Sequence, residues 1–285
     1  MLSEVLAVLR PELNESYMDL TAGYGGHASE ILAVTQNYKD SVLCDRDEFA
    51  IKYLKAKYKG EAVKYVNENF YDAVLHQREC GNKFDIILAD FGVSSPQLDR
   101  EDRGFSFSKD GPLDMRMDRS QSLTAEYVVN KYSERELARI FVEYGEERSG
   151  FAKLIAREIV HNRPFYSTKQ LAELIKEKSR FSKTHPATRI FQAIRIEVND
   201  ELSLIEKTLP VIPDILNKNG RVAFITFHSL EDRLVKKFLK EASSFGEESK
   251  LKILTKTPVV AGEMELITNP RARSAKLRAA IKQTV

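Results

Sequence analysis

Two rhythms of apolar and polar residues alternate along residues 2–90. Leu2, Val5, Leu6 and Leu9 fall at helical spacing, and Pro11 ends that element. Short apolar runs follow at Tyr17–Leu20, Ser41–Asp45, Val63–Asn67 and Phe84–Asp90, each predicted to be a strand. Between them, Ala28, Ile31, Leu32 and Val34, then Phe49, Tyr53, Leu54 and Tyr58, recur with the helical period. Strands alternating with helices imply an open parallel sheet, and the almost unbroken apolar run at 84–90 is that of a strand covered on both faces.

Beyond Asp90 the rhythm changes. Residues 91–98 read as a loop, and 99–119 are rich in Asp, Arg, Gly and Ser. From about Leu123 to Leu209 nearly every segment has the helical period, with capping boxes at Ser133 to Glu136 and Ser167 to Gln170. The sheet resumes at Arg221–Phe227, followed by a helix over Leu230–Ala242 with Ser229 as its N-cap. Lys252–Thr255 and Leu277–Ile281 supply a closing antiparallel pair. The predicted fold class is therefore α/β, a parallel sheet interrupted by an all-helical insertion. The first part of the sheet domain spans 1–103, the insertion 104–205, and the second part, with a basic C-terminal hairpin, 206–285.

In open parallel sheets ligands bind outside the carboxyl ends of the strands. Asp19, Asp45, the Phe70 region and Asp90 all fall at such ends. The first strand runs into Thr21-Ala22-Gly23-Tyr24-Gly25-Gly26-His27, where residues without Cβ let bare backbone approach a ligand. The first helix covers one edge of this cradle. Gly23, Gly25 and Ala28 satisfy G-x-G-x-x-G/A, and Asp45, 22 positions after Gly23, is placed to accept hydrogen bonds from ribose hydroxyls. The ribose of NAD and that of S-adenosylmethionine fit equally well, and a tight turn with no ligand is the plainer alternative.

Composition narrows the class. With 44 Lys and Arg against 42 Asp and Glu, the net charge of +2 does not by itself announce nucleic acid, so local patches must carry that argument. Cys44 and Cys80 lie 36 positions apart without ligand-spaced neighbours, which predicts a reduced chain without structural metal. No apolar run has the length of a membrane span and no signal peptide is legible, so a cytoplasmic location without membrane contact is expected.

Four stretches carry further chemistry. Asp90 with Ser94, Ser95 and Pro96 ends the fourth strand beside the cradle; a carboxylate and loop carbonyls there can accept the hydrogens of an amine held for methyl transfer. Phe105 with Arg116, in a polar loop with Met115 and Met117, suits a base stacked on an aromatic ring and a phosphate met by guanidinium. Arg189, Gln192 and Arg195 share one helix face, able to meet RNA while Ile190, Ala193, Ile194 and Val198 pack. Arg271, Arg273, Lys276 and Arg278 put four cations into eight positions, a grip for phosphates. Solvated charge, an interlobe plug and helix capping are the bland readings of these stretches. His228 ends the fifth strand and is counted with the substrate-binding residues; the neighbouring Ser229 has no G-x-S-x-G elbow and is not read as a nucleophile.

Together these motifs resemble the MraW/RsmH family of S-adenosylmethionine-dependent methyltransferases, which modify the N4 amine of a decoding-centre cytosine in bacterial 16S ribosomal RNA. The resemblance rests on Asp19-x-Thr21-x-Gly23-x-Gly25-Gly26-His27, Leu88-Ala89-Asp90-x-Gly92-Val93-Ser94-Ser95-Pro96-Gln97-Leu98-Asp99, and Arg103-Gly104-Phe105-Ser106-Phe107. It continues through Pro112–Met117, Tyr144–Glu147, His185–Arg189, Phe227–Arg233 and Asn269–Ser274, nearly end to end. It implies a Rossmann-like methyltransferase sheet with an inserted helical substrate-recognition domain. It implies S-adenosyl-L-methionine as cofactor, with contacts at Gly25, Gly26, His27, Asp45, Phe70, Asp90 and Gln97, and no metal. It implies 16S rRNA in the small ribosomal subunit or its assembly intermediate as partner; a homodimer stands beside a monomer as its oligomeric state. The family usually opens with a His-x-Pro-Val stretch ahead of the segment beginning here at Met1. Ala89 and Phe91 stand where Leu is common.

Two other readings compete. The glycine pattern with Asp45 also fits an NAD-dependent dehydrogenase, and the basic tail fits an RNA-binding assembly factor with a vestigial pocket.

Overall fold

The computed structural model describes residues 1–179, 185–244 and 250–283. In chain order, α1 (Leu2–Leu9), β1 (Tyr17–Asp19), α2 (Gly26–Thr35), β2 (Val42–Cys44), α3 (Glu48–Lys57), β3 (Lys64–Val66), α4 (Phe70–Glu79) and β4 (Phe84–Asp90) realise the predicted alternation. The helical stretch holds α5 (Ser95–Asp99), α6 (Ala125–Lys131), α7 (Glu134–Glu143), α8 (Ser149–His161), α9 (Thr168–Lys178) and α10 (Ala187–Asn199). After α11 (Glu201–Thr208) come β5 (Leu216–Thr226), α12 (Ser229–Ala242), β6 (Leu251–Ile253), β7 (Val259–Val260), α13 (Glu263–Thr268) and β8 (Lys276–Lys282). Two units result: Met1–Gly92 with Leu202–Val285, and Val93–Glu201.

In the first unit the strand order is β3-β2-β1-β4-β5-β8-β6, with β7 also paired to β8. The strands from β3 to β5 are mutually parallel, whereas β8 runs antiparallel to β5 and β6, as the closing pair predicts. Side chains alternate between two buried faces, as the period of a strand requires. Met18, Ile87, Ala89, Val222 and Phe224 pack with Ala73 and Val74 of α4, Val235 and Leu239 of α12, and Ile212. Tyr17, Ile86, Leu88, Ala223 and Ile225 face Val5 and Leu9 of α1, Ile31 and Leu32 of α2, and Leu54 of α3. Covering both faces is what makes the strands read as unbroken apolar runs, and each fully buried Leu or Ile contributes roughly 1.5–3 kcal/mol.

Three local readings differ. β5 starts at Leu216 instead of Arg221, because Asn217-Lys218-Asn219-Gly220, despite its turn-like composition, stays in the strand as a bulge, with the β4 pairing shifting register between Phe84 and Ile86. A Cβ on Gly220 would stand 2.9 Å from the Phe84 carbonyl oxygen, so only glycine fits that approach. The N-cap of α12 is His228, not Ser229: Glu231 turns back to accept the Phe227 and His228 N–H groups at 2.7 and 3.3 Å. The cationic stretch is not a hairpin; Pro270–Ser274 forms a 3-10 turn leading into β8.

The second unit is a helical bundle around Leu137, Ile140, Phe141, Ile155, Ile159, Leu171, Ile175, Ile190 and Ile194. Both predicted capping boxes form, at Ser133 and Ser167. Its boundaries fall at Gly92/Val93 and Glu201/Leu202 instead of 103/104 and 205/206, because Val93 and Leu98 pack against the bundle core. No helix among the described residues is long and apolar enough to cross a membrane.

Candidate functional site

The cradle is built by three parallel strand ends sharing one loop. Leu20 N–H reaches back to Leu88 and Ala22 N–H to Cys44, so the chain leaving β1 is tied to both neighbours before it turns. Thr21 Oγ1 accepts the Asp90 N–H at 2.6 Å, and Asp45 Oδ2 accepts the Gly23 N–H at 2.8 Å. Asp45 Oδ1 takes the Asp47 N–H at 2.8 Å, which leaves each oxygen capacity for a second donor such as a ribose hydroxyl.

Gly23 and Gly25 have φ of +50° and +73°. A side chain on Gly25 would also meet Leu54 Cδ2 at 2.9 Å, whereas one on Gly26 would meet no atom within 4 Å. Gly26 opens α2 and so borders the space that a ligand of this loop would fill. From α3, Lys57 Nζ donates to the Tyr24 and Gly25 carbonyls at 3.3 and 3.1 Å, and Ser29 Oγ donates to Gly25 at 2.6 Å. These donors hold the loop's carbonyls on the side of α3.

Besides Asp45, which burial also pushes up, three further titratable groups meet at this loop. Asp19 is buried, accepting from Tyr17 Oη at 2.6 Å and from the Thr21 N–H at 3.1 Å. Burial pushes its carboxyl up to about 7 despite those two bonds. Burial, and next the charge of Asp19, pushes Asp90 up to about 7 as well. Burial, and next the Met1 ammonium, holds His27 down to about 4. His27 Nε2 stands 3.7 Å from Asp90 Oδ2. Their other polar atoms, His27 Nδ1 and Asp90 Oδ1, are buried with no hydrogen-bond partner. Buried polar atoms are ordinarily paired, so this pair is chemically suited to a ligand with a donor for the carboxylate, preferably a cation. S-Adenosylmethionine, with its sulfonium and ammonium, meets that requirement. Phe70 is half-buried at the start of α4, packing on Phe91 at 5.5 Å between ring centres, a flat apolar wall past the end of β3.

Asp19, Asp45 and Asp90 thus converge on the glycine loop as predicted, and Gly25, Gly26 and His27 lie in that loop. Ser94, Ser95, Pro96 and Gln97 belong to the helical unit, where Ser94 caps α5 and its N–H donates to Gln97 Oε1 at 3.0 Å. Several predicted substrate contacts have structural duties instead. Phe105 is 6% exposed and packs in the bundle core, so its ring is not open to stacking. Arg116 forks onto Asp114 and donates to the Arg119 and Gln121 carbonyls, folding the loop on itself. Arg195 forks onto Glu201 at 2.8 and 2.9 Å, so the charge of that helix face is largely neutralised there. His228 is mostly buried, its Nδ1 accepting the Glu231 N–H at the start of α12. Lys276 and Arg278 both turn onto Asp232. Arg189, Arg271 and Arg273 are exposed.

Sequence reasoning passed over Thr21, Tyr17 and Lys57 as site residues. Thr21 was legible as the middle of the Asp19-x-Thr21-x-Gly23 motif. No local pattern marks Lys57, which reaches the loop only because α3 packs beside it.

The family profile described as the MraW methylase family matches residues 1–283. The chain is 47% identical over 272 residues to the ribosomal RNA small subunit methyltransferase H of Gloeothece citriformis, covering 93% of this chain and 86% of that one. It is 44% identical over 301 residues to the enzyme of the same name from Halothermothrix orenii, covering 98% and 96%. The same-named enzyme of a Cyanothece species is 49% identical over 269 residues, covering 93% and 87%. The chain belongs to the MraW methylase family, and its methyl donor is S-adenosyl-L-methionine.

Proposed function

We propose that the protein methylates ribosomal RNA of the small subunit, and that the acceptor is the exocyclic N4 amine of a decoding-centre cytosine in 16S rRNA. The observation that carries the reading is Asp90: a partly buried residue at the end of β4 whose N–H is tied to Thr21 of the glycine loop and whose carboxylate Oδ1 is buried and unpartnered. Membership of a methylase family displaces the dehydrogenase alternative for the same glycine pattern.

Gly25, Gly26, His27, Asp45 and Phe70 hold the donor, which supplies a methyl group already activated on a sulfonium. The chain itself has to position the amine and manage a proton. Asp90 is the group suited to both: Oδ1 accepts a hydrogen of the amine, which frees the nitrogen lone pair from ring conjugation, and its raised proton affinity lets it take up a proton near neutrality. Orientation of the two reactants contributes most of the acceleration, on the order of 7–11 kcal/mol for well-aligned groups. Ser94, Ser95 and Pro96 follow Asp90 in the chain and are assigned to the amine's side of the site. Gln97 is given the donor's side through the same loop. The target base must leave its stack, because a paired amine cannot present its lone pair. Exposed Arg189, Arg271 and Arg273 are assigned to phosphates.

The enzyme acts in the cytoplasm on the subunit or an assembly intermediate, as a monomer or homodimer. Purified protein incubated with radiolabelled S-adenosylmethionine and undermethylated small subunits tests this, with digestion of the RNA to nucleosides afterwards. Label in N4-methylcytidine is the expected result. Label only in another nucleoside would overturn the acceptor while keeping the enzyme class; unlabelled RNA would overturn both.

A further inference from the structure

Outside the cradle, the helical unit carries an aromatic pair whose outer member is exposed. Phe107 is half-buried and packs edge-on to Phe191 of α10 at 5.2 Å between ring centres. His185, exposed just before α10, lies almost parallel on Phe107, with centres 4.5 Å apart and planes 21° from each other. Phe191 is buried, so it anchors Phe107, and Phe107 in turn supports one face of the imidazole. Among the described residues no other ring stacks on His185. Its ring is held at one edge, too, because Nδ1 accepts the Ala187 N–H at 3.2 Å.

One turn further along lies Arg189, exposed, with one guanidinium nitrogen donating to the Glu146 carbonyl at 3.2 Å. That anchor is rigid: a Cβ on Gly145 would come within 2.8 Å of the Arg189 carbonyl oxygen, so the end of α7 sits directly against α10. A flat, supported ring with a fixed cation one turn away has the chemistry of a single-stranded nucleic acid contact, a base on the ring and a phosphate on the guanidinium. An oily protein partner would instead call for an apolar surface, and among the described residues Thr188 and Arg189, exposed and close to His185 in the chain, are polar.

We propose that His185, backed by Phe107, is a stacking platform for an unpaired base of the RNA substrate, with Arg189 holding a neighbouring phosphate. The inference rests on the RNA reading above and adds a contact in the helical unit remote in sequence from the glycine loop. The ring is what matters, not the hydrogen bond that it makes to α10.

Fluorescence anisotropy of the full chain with a labelled single-stranded RNA tests this in three variants. His185→Ala removes ring and acceptor, His185→Asn keeps a polar acceptor without the ring, and His185→Tyr keeps an aromatic ring without the imidazole acceptor. Loss of one base stack weakens RNA binding by about five- to tenfold or more in the Ala and Asn variants, while Tyr stays within about twofold of the parent. Affinity for S-adenosylmethionine and the melting temperature serve as controls and stay unchanged. Ala binding as well as the parent, Asn restoring binding, or Tyr as weak as Ala at unchanged melting temperature would each overturn the platform. If the parent methylates RNA and the Ala variant binds it equally well, the platform alone falls. If the parent neither binds nor methylates RNA, the substrate reading falls with it.

Discussion

His27 and Asp90 face each other at 3.7 Å without forming an ion pair at neutral pH, since burial keeps the imidazole neutral and the carboxyl about half protonated. Each keeps one buried polar atom unpartnered. The apo site is therefore set up to accept positive charge that its own residues do not supply.

Cofactor affinity follows from this. A cationic ligand favours ionised Asp90, so S-adenosylmethionine binding should weaken progressively as pH falls below about 7 and level off above it. S-Adenosylhomocysteine, lacking the sulfonium, should show a shallower dependence. Asp90→Asn should bind the donor at least tenfold more weakly at pH 8 and flatten the profile. Isothermal titration calorimetry between pH 5.5 and 8.5 reads all three; parallel profiles for the two ligands would contradict the argument.

Stability of the apo protein should run the opposite way. Asp19 and Asp90 have folded-state pKa values of about 7, above those of the unfolded chain, so between about 4 and 7 the folded state binds more protons and is strengthened as pH falls. His27, lowered to about 4, opposes this below about 6.5, whereas Asp45, also raised by burial, adds to it. Asp90→Asn should accordingly stabilise the apo protein at pH 8, by about 1–2 kcal/mol after allowance for its partial exposure. Urea denaturation at pH 8 and pH 5.5 measures it, and a variant less stable than the parent at pH 8 would be the contrary result.

The two adjacent glycines separate folding from binding. Gly25→Ala forces a side chain into a left-handed backbone and against Leu54, costing about 1–3 kcal/mol of stability. Gly26→Ala meets open space, so it should leave the melting temperature within a degree or two and reduce cofactor affinity instead. Differential scanning fluorimetry with and without S-adenosylmethionine distinguishes them.

The arginines divide in the same manner. Arg189→Ala and Arg273→Ala should weaken RNA binding severalfold and lower its salt slope by about one each. Arg278→Ala should leave Asp232, a largely buried carboxylate also bonded at one edge to Lys276, without its forked partner and destabilise the fold by about 3 kcal/mol. Equal salt slopes for Arg189→Ala and the parent would take that residue out of the interface.

Much of this was legible in the sequence because it is local. The apolar runs of the strands, the glycine loop and the capping boxes at Ser133 and Ser167 each follow from neighbours within a few residues, and Asp19, Asp45 and Asp90 were placed by ending apolar runs. The charged residues were not legible in that way. Whether Arg116, Arg195 or Arg278 meets solvent or a carboxylate depends on Asp114, Glu201 and Asp232, and the last of these lies 46 positions from its arginine. The same holds for Phe105, whose aromatic character fits a core as well as a stack. The start of β5 was placed five residues late, at Arg221, because Asn217–Gly220 has the composition of a turn although it lies within the strand.

The strand order carries a consequence for synthesis. β4 pairs with β1 on one side, but its other partner, β5, lies beyond the whole of Val93–Glu201. On the ribosome the nascent chain must therefore hold a half-made sheet with a bare apolar edge while the bundle is still being translated, a state open to edge-to-edge association. Chains arrested before Leu216 should be cleaved by protease within β1–β4, and those released past Lys282 should resist it.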